Sequence, residues 1–501
     1  MPWRICVAAS VLTSLCGCDL APPYNPPHYV LPADYRGSRP FALAQPRDTL
    51  PRGPWWERFG DPVLNQLEQQ ATTQNSDLAA LAEEYTQARD LAAEARANLF
   101  PQVSAGGMLS YNRESRNQPF RSPNSTAPSE APNNEILAAA SWEPDFWSQI
   151  RNQTRVQKRL AQSSAALLAS ARLSLQAELA DDYIALRGLD TQNAVYIASI
   201  IYYQKAVQIT TLRLEGRIAS ALDVARAQGQ LATTQALQTD LLANRSVLEH
   251  AIAVLADVNP SSFSIPPVDN APLVAPAVPV GVPSQLLERR PDISSAERQM
   301  AAANAGIGVA RAAFYPNITL SGNAGIQDTG FNLVSLPNSL WTIGASAVIP
   351  LFEGGLRRAE LQRSWSQYAQ TRDNYRSTVL AAFQEVEDGL VLTQRLQVEE
   401  QQQSKAVAAA DKAQALTLQL YVGGLTNYLD VVVAQEAALT ARIDEVQIHL
   451  RRLQAAANLV RAVGGGWSTA ELPTENGVLP FNPLDITTPS QTSPKDTRAE
   501  R

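Results

Sequence analysis

Two long stretches of the chain repeat their apolar residues at steps of three and four. Val379, Phe383, Val386 and Leu390 form one such run, and Leu439, Ile443, Val446, Leu450 and Leu453 form another. A 4-3-4-3 rhythm is the seam of a coiled coil. The remaining faces are crowded with Ala and Gln, so each helix can meet neighbours on more than one side. The chain holds 33 prolines, yet none falls in 145–259 or in 351–472, so both stretches are kept free of helix breakers. Each is interrupted once, at Leu214-Glu215-Gly216-Arg217 and at Tyr421-Val422-Gly423-Gly424, and both interruptions read as helical hairpin turns. Ser148 to Glu215 is 68 residues, about 100 Å if continuously helical. A rod of that length exceeds ordinary domain helices and belongs to an extended assembly.

Four short segments between the helical blocks follow a period of two. In Val103, Ala105, Gly107, Leu109 and Tyr111, and again in Ile318, Leu320, Gly322, Ala324 and Ile326, apolar or small residues alternate mostly with polar ones. Ile136, Ala138, Ala140 and Trp142, and Trp341, Ile343, Ala345, Ala347 and Ile349, complete the set. Each predicts a strand of roughly ten residues, the length of a membrane-spanning β-strand, with Tyr111, Trp142 and Trp341 placed as interfacial aromatics. Periodicity alone would favour two hairpins packed on a soluble core.

The pattern occurs twice. Asp77, Arg96 and Pro101 match Asp292, Arg311 and Pro316 at an offset of 215, and Gly216, Leu222, Asp223, Ala227 and Gln228 match Gly423, Leu429, Asp430, Ala434 and Gln435 at an offset of 207. The shortfall lies mostly in the first hairpin loop, read as Asn112 to Asn134. The domain reading is a signal at 1–17, a Pro-rich strap at 18–60, a first repeat at 61–260 with a β-hairpin at 101–146 and a helical hairpin at 148–258, and a Pro-rich linker at 261–283. A second repeat at 284–467, with a β-hairpin at 316–350 and a helical hairpin at 356–462, precedes a polar tail at 468–501.

Composition narrows the chemistry. The three cysteines, Cys6, Cys16 and Cys18, all lie in the first 18 residues, and the three histidines, His28, His250 and His449, are scattered. No catalytic triad, metal cluster or cofactor motif stands out, so the chain reads as a non-enzyme with neither cofactor nor metal. A net charge of −7 argues against nucleic acid as a partner. Gly306 and Gly308 lack the context of a nucleotide loop and read as helix close-packing. The apolar stretch from Ile5 to Leu15 is too short to span a bilayer and fits a secretory signal. It ends in Leu15-Cys16-Gly17-Cys18, which resembles a lipoprotein signal with Cys18 as the acylated first residue; the alternative is an ordinary signal with an incidental cysteine. Asp19 fits less easily, because in enteric-type sorting an aspartate after the cysteine tends to retain lipoproteins at the inner membrane.

Secretion, acylation and long helices together favour a membrane barrel over a soluble hairpin pair. Four strands cannot close a pore, and open edges are not tolerated in lipid. Two chains would give eight strands with a filled lumen, whereas three give twelve and leave room for a channel. Symmetric trimerisation is the economical solution.

Trp55-Trp56 with Phe59, Asp61-Pro62 and Leu64, then 283–293 (PSQLLERRPDI), Phe314-Tyr315-Pro316, 350–355 (PLFEGG), 383–387 (FQEVE) and Gly464-Gly465-Gly466-Trp467 resemble the outer-membrane factors, and more narrowly the NodT-type lipoprotein branch serving resistance-nodulation-division (RND) efflux pumps. The resemblance covers about residues 18 to 467. It implies a mainly α fold with a β-barrel: a homotrimeric outer-membrane channel with a twelve-stranded barrel, four strands per chain, above a coiled-coil helical barrel in the periplasm. It also implies outer-membrane lipid around the barrel, a periplasmic adaptor and an inner-membrane RND transporter as partners, and drugs or other small molecules as cargo. A type I protein secretion duct and a structural periplasmic coiled-coil lipoprotein remain as alternatives. Carried over by position, the hairpin tips, with Gly216, Arg217, Gly423 and Gly424, would meet the adaptor. Asp223 and Asp430 would ring the aperture, Leu222 and Leu429 would pack it shut, and Tyr421 would tie one hairpin to the other through Asp223. A basic residue of some relatives is replaced here by Thr426, and a second aspartate by Val433.

Overall fold

The computed structural model describes residues 18–27, 54–113, 115, 130–269, 273–275, 289–330 and 335–480. The signal at 1–17, most of the strap and part of the linker lie outside these residues, as does the tail beyond 480. A short 3-10 turn, Trp55–Phe59, leads into α1 (Pro62–Gln74) and α2 (Ser76–Ala97). Strands β1 (Gln102–Arg113) and β2 (Glu130–Trp142) follow, then α3 (Gln149–Glu215) and α4 (Ala221–Leu255). The second repeat runs α5 (Pro291–Ala312), β3 (Asn317–Asp328), β4 (Ser339–Val348), α6 (Leu356–Val422) and α7 (Tyr428–Ala462).

Helices α3 and α6 each contain 67 residues, about 100 Å at 1.5 Å per residue. Asp61 caps α1 by accepting from Val63 N at 2.8 Å, with Pro62 at the first helical position, where its missing N–H costs nothing. Ser220 and Asn427 cap α4 and α7 in the same way, each accepting from the backbone N–H of the aspartate three residues on. The predicted seams exist: Val379, Val386 and Leu390 are buried and Phe383 packs against them, while Leu439 and Leu453 are buried on α7.

The four strands form one antiparallel sheet in the order β1-β2-β3-β4. β2 pairs with β3, with Ile136 opposite Ile326 and Ala138 opposite Ala324, so the hairpins of the two repeats become a single surface. Gly325 permits this: a Cβ there would fall 2.1 Å from the Ile136 carbonyl oxygen. The apolar row is not packed on a soluble core, since Val103, Leu109, Tyr111, Trp341 and Ile343 are all exposed. Among the described residues β1 and β4 remain edges of this sheet. The first hairpin loop is shorter than the composition indicated. Pairing continues to Arg113 opposite Glu130, so Asn112 and Ala131–Asn134 belong to strands. Asn and Pro signalled a loop, but ladder pairing is a backbone property. Polar side chains add to it: Ser110 Oγ donates to the Asn133 carbonyl at 3.3 Å and Asn134 Nδ2 to that of Gly330 at 2.6 Å.

Among the described residues the two larger apolar cores hold helices together. One gathers Trp55, Phe59 and Leu64 against Leu179, Tyr183 and Ile184 of α3, Ile252 of α4 and Leu453 of α7. The other joins Ile293 and Met300 of α5 to Tyr375, Val379 and Val386 of α6 and Leu459 of α7. The sequence motifs fall at these joints. Arg290, 7% exposed, contacts Asp292, Glu385 and the Ala462 carbonyl at 2.6, 2.7 and 3.0 Å respectively. Gly464, at φ +90°, sits so close to the Arg289 carbonyl that a Cβ would lie 2.0 Å from its oxygen.

Candidate functional site at the helical hairpin tips

The two interhelical turns have one geometry. Gly216 N–H donates to Leu212 O and Ile218 N–H to Arg213 O in the first; Gly423 N–H donates to Gln419 O and Leu425 N–H to Leu420 O in the second. This pattern ends a helix by satisfying its last carbonyls and places the next residue in left-handed space. That residue is Gly424, at φ +74°, in the second turn and Arg217, at φ +56°, in the first, so Gly216 and Gly423 are not the left-handed positions. Left-handed backbone costs a non-glycine residue about 1 kcal/mol. Gly424→Ala should therefore destabilise by about that amount, while Arg217→Gly should be neutral or slightly stabilising. Equal losses in urea midpoint from both substitutions would contradict this assignment.

Tyr421, in the last turn of α6, donates its hydroxyl to Asp223 Oδ2 at 3.3 Å, bringing together the pair expected from the sequence. Burial, with the Asp223 charge next, pushes the Tyr421 phenol up. Tyr421 packs edge-to-face on Tyr428 with ring centroids 5.1 Å apart, in a small core with Ala227 and Val431. Arg213, from the last turn of α3, lies 4.8 Å from the Tyr421 ring centroid and donates to the Val422 carbonyl at 2.7 Å. The cross-hairpin contacts thus run through four helix ends. Arg213 and Tyr428 had no sequence signal from the repeat, because their counterparts at the offset of 207 are Leu420 and Ala221.

Asp223 and Asp430 occupy matching positions, the third residue of α4 and of α7, where the helix dipole favours a carboxylate. Their side chains have different partners: Tyr421 for Asp223, and the hydroxyl of Thr426 for Asp430. Leu222 and Leu429 are exposed within the single chain, as are Ile218, Leu425 and Val433. The tips therefore present an apolar rim beside two carboxylates. At the other end of the chain, Cys18 is free and exposed. Among the described residues there is no cluster of side chains able to hold a metal ion.

The architecture is that of a channel subunit, a four-strand antiparallel sheet whose edges are unpaired among the described residues, carried on two helical hairpins whose longer arms run about 100 Å. The family model for outer membrane efflux proteins matches residues 67–256 and 282–465, and the chain belongs to that family. It is 29% identical over 469 residues to the pyoverdine export outer membrane protein OpmQ of Pseudomonas aeruginosa, covering 92% of this chain and 96% of the relative. It is 30% identical over 454 residues to nodulation protein T of Rhizobium leguminosarum bv. viciae, covering 88% and 90% respectively. The solved outer-membrane channel OprN superposes with a TM-score of 0.84 at 27% identity, over 90% of this chain and all of that one. The protein is an outer-membrane efflux component with a periplasmic helical barrel, and its family implies a channel role.

Proposed function

We propose that three copies of this chain close a twelve-stranded barrel and form the passive exit duct of a tripartite efflux pump, with an RND transporter in the inner membrane and a periplasmic adaptor bridging the two. The observation that carries this reading is the exposed sheet, with β1 and β4 unpaired among the described residues. A lipid-embedded edge is untenable, and three four-strand sheets are the smallest symmetric set that leaves a lumen. The detergent-solubilised protein should have close to three times the 54.3 kDa chain mass. A monomer in native mass spectrometry would overturn the closure. Acylation of Cys18 would hold the N-terminus at the membrane. The cargo is small-molecule and is chosen by the transporter, since a water-lined exit does not select.

The hairpin tips form the gate. Under threefold symmetry, three copies each of Asp223 and Asp430 approach one axis, and such a ring attracts cations. The Tyr421 to Asp223 hydrogen bond, the Arg213 contacts and the apolar rim oppose the mutual repulsion of these carboxylates and hold the tips closed. In planar bilayers, Tyr421→Phe should raise resting conductance, each lost hydrogen bond being worth about 1 kcal/mol and present three times. Asp430→Asn should weaken cation selectivity and divalent block from the periplasmic side while leaving the trimer intact. Unchanged selectivity and block in Asp430→Asn would move the aperture elsewhere on the hairpins. The adaptor docks on the rim around Gly216, Arg217, Gly423 and Gly424.

A further inference from the structure

The residues directly after Cys18 lie in a fitted groove on the membrane-side ends of α3 and α5. Asp19 accepts from Asn152 Nδ2 through Oδ1 and from Arg155 Nη1 through Oδ2, both at 3.0 Å, and its Oδ1 also accepts from the Ala21 N–H at 3.0 Å. The Leu20 carbonyl accepts from Arg311 Nη1 at 3.1 Å and the Pro22 carbonyl from Asn304 Nδ2 at 2.8 Å. Tyr24 packs into the second core and donates its hydroxyl to Glu297 Oε1 at 2.6 Å. Between these bonds Ala21 occupies the notch left by Gly308, where a Cβ would lie 2.8 Å from the Ala21 Cβ and 2.6 Å from Asn152 Nδ2. Glu297, Asn304, Gly308 and Arg311 recur at steps of seven, four and three, so one face of α5 is given to the strap. Gly306 faces open space instead.

We propose that this face is a receptor for the chain's own anchor peptide, selective for a carboxylate directly after the cysteine, and that it fixes the lipid anchor at a set height beside the barrel instead of leaving it on a loose tether. The height follows from the connectivity. Asn152 lies in the first turn of α3, ten residues after β2 ends, and Arg311 in the last turn of α5, six residues before β3 begins. Cys18 is therefore held at the junction of barrel and helices, where acyl chains reach the periplasmic leaflet. Asp19 then has a structural task that accounts for its presence where the sorting pattern disfavours it. The carboxylate is matched: burial alone would raise its pKa, but the hydrogen bonds from Asn152, Ala21 and Arg155, with the Arg155 charge, outweigh it and hold the group below the usual carboxylate range.

Docking is observed independently of acylation, whereas its role as an anchor strut rests on acylation of Cys18; the test separates the two. The full-length protein, purified from outer membranes, would be labelled with a fatty-acid probe and treated briefly with proteinase K, with the label read separately and release of the N-terminal peptide followed by mass spectrometry. Loss of label in Cys18→Ser reports acylation. Docking is reported by cleavage rate: the wild-type strap should resist, Gly308→Val should be cut about tenfold faster or more, and Asp19→Asn and Arg155→Met, which break a half-exposed pair, about threefold faster, with label and trimer retained. The exchange Asp19→Arg with Arg155→Asp should restore part of the resistance. A wild-type strap cut as fast as the variants, or variants as resistant as the wild type, would overturn the receptor. An unlabelled but protease-resistant strap would refute the strut while leaving the groove.

Discussion

Replacing Asp190 with alanine should lower stability by about 3 kcal/mol, because two buried arginines lose a shared carboxylate at once, leaving Arg245 only Glu249 and Arg187 only the more distant Asp61. Asp190 is 3% exposed and its carboxylate is shared: Oδ2 meets Arg187 Nη1 at 3.0 Å and Oδ1 meets Arg245 Nε at 2.6 Å. The same Oδ2 accepts from the Val268 N–H at 3.2 Å. Both guanidinium groups reach onward to the chain after α4, Arg187 to the Pro266 carbonyl and Arg245 to that of Ile265, each at 2.7 Å. On its other side Arg187 meets the Tyr183 hydroxyl at 2.9 Å, and that hydroxyl donates to Asp61 at 2.7 Å. One carboxylate therefore stands at the centre of a network joining the α1 cap, α3, α4 and the linker. The contrasting pair is Arg451 with Glu399, at 2.7 Å but with both side chains about half exposed. Arg451→Ala should change stability by less than about 1 kcal/mol. Comparable shifts in the thermal midpoint from the two substitutions would refute the distinction.

The network also marks how far the sequence could be read. Asp61-Pro62 was legible as a motif, and its local role as a helix cap follows from spacing; its contact with Tyr183, 122 positions away, does not. The long helices were legible because proline exclusion and a seven-residue rhythm act over dozens of residues, and the strands because a period of two survives in short runs. The β2 start at Glu130 was not, since Pro132, Asn133 and Asn134 carry turn chemistry that backbone pairing overrides. At the tips, duplication located both turns and both aspartates. Arg213 and Tyr428 break the repeat, and only the fold reveals that they share a cluster with Tyr421. Gly308 was correctly expected in close packing, but its partner, Ala21, is 287 residues upstream, beyond any periodic signal. The general division is physical: periodicity reports what each element buries, whereas buried polar contacts across the chain depend on how the elements are brought together.

Stability should fall as pH rises from about 4.5 toward 9, in part through Glu68, and Glu68→Leu should remove that component. Glu68 is fully buried on α1, in the row of Leu64, Leu67 and Ala71, and neither carboxylate oxygen has a hydrogen-bond partner among the described residues. Burial without compensation penalises the charged form and pushes its pKa from 4.5 up to about 9. The sign of the linkage follows. Below pH 4.5 both folded and unfolded states hold the proton, so the group costs nothing through titration. Between the two values the unfolded state releases the proton and the folded state keeps it, which favours unfolding by about 1.4 kcal/mol per pH unit. By pH 7 the accumulated penalty is on the order of 3 kcal/mol, and it levels off above the folded pKa. Leucine has a similar volume and suits the apolar neighbours, so the variant should be more stable than wild type at pH 7, with the advantage shrinking toward pH 4.5. Other titrating groups cancel in the difference between the two proteins. Parallel stability profiles for wild type and Glu68→Leu across this range would show that Glu68 is ionised and compensated in the folded channel.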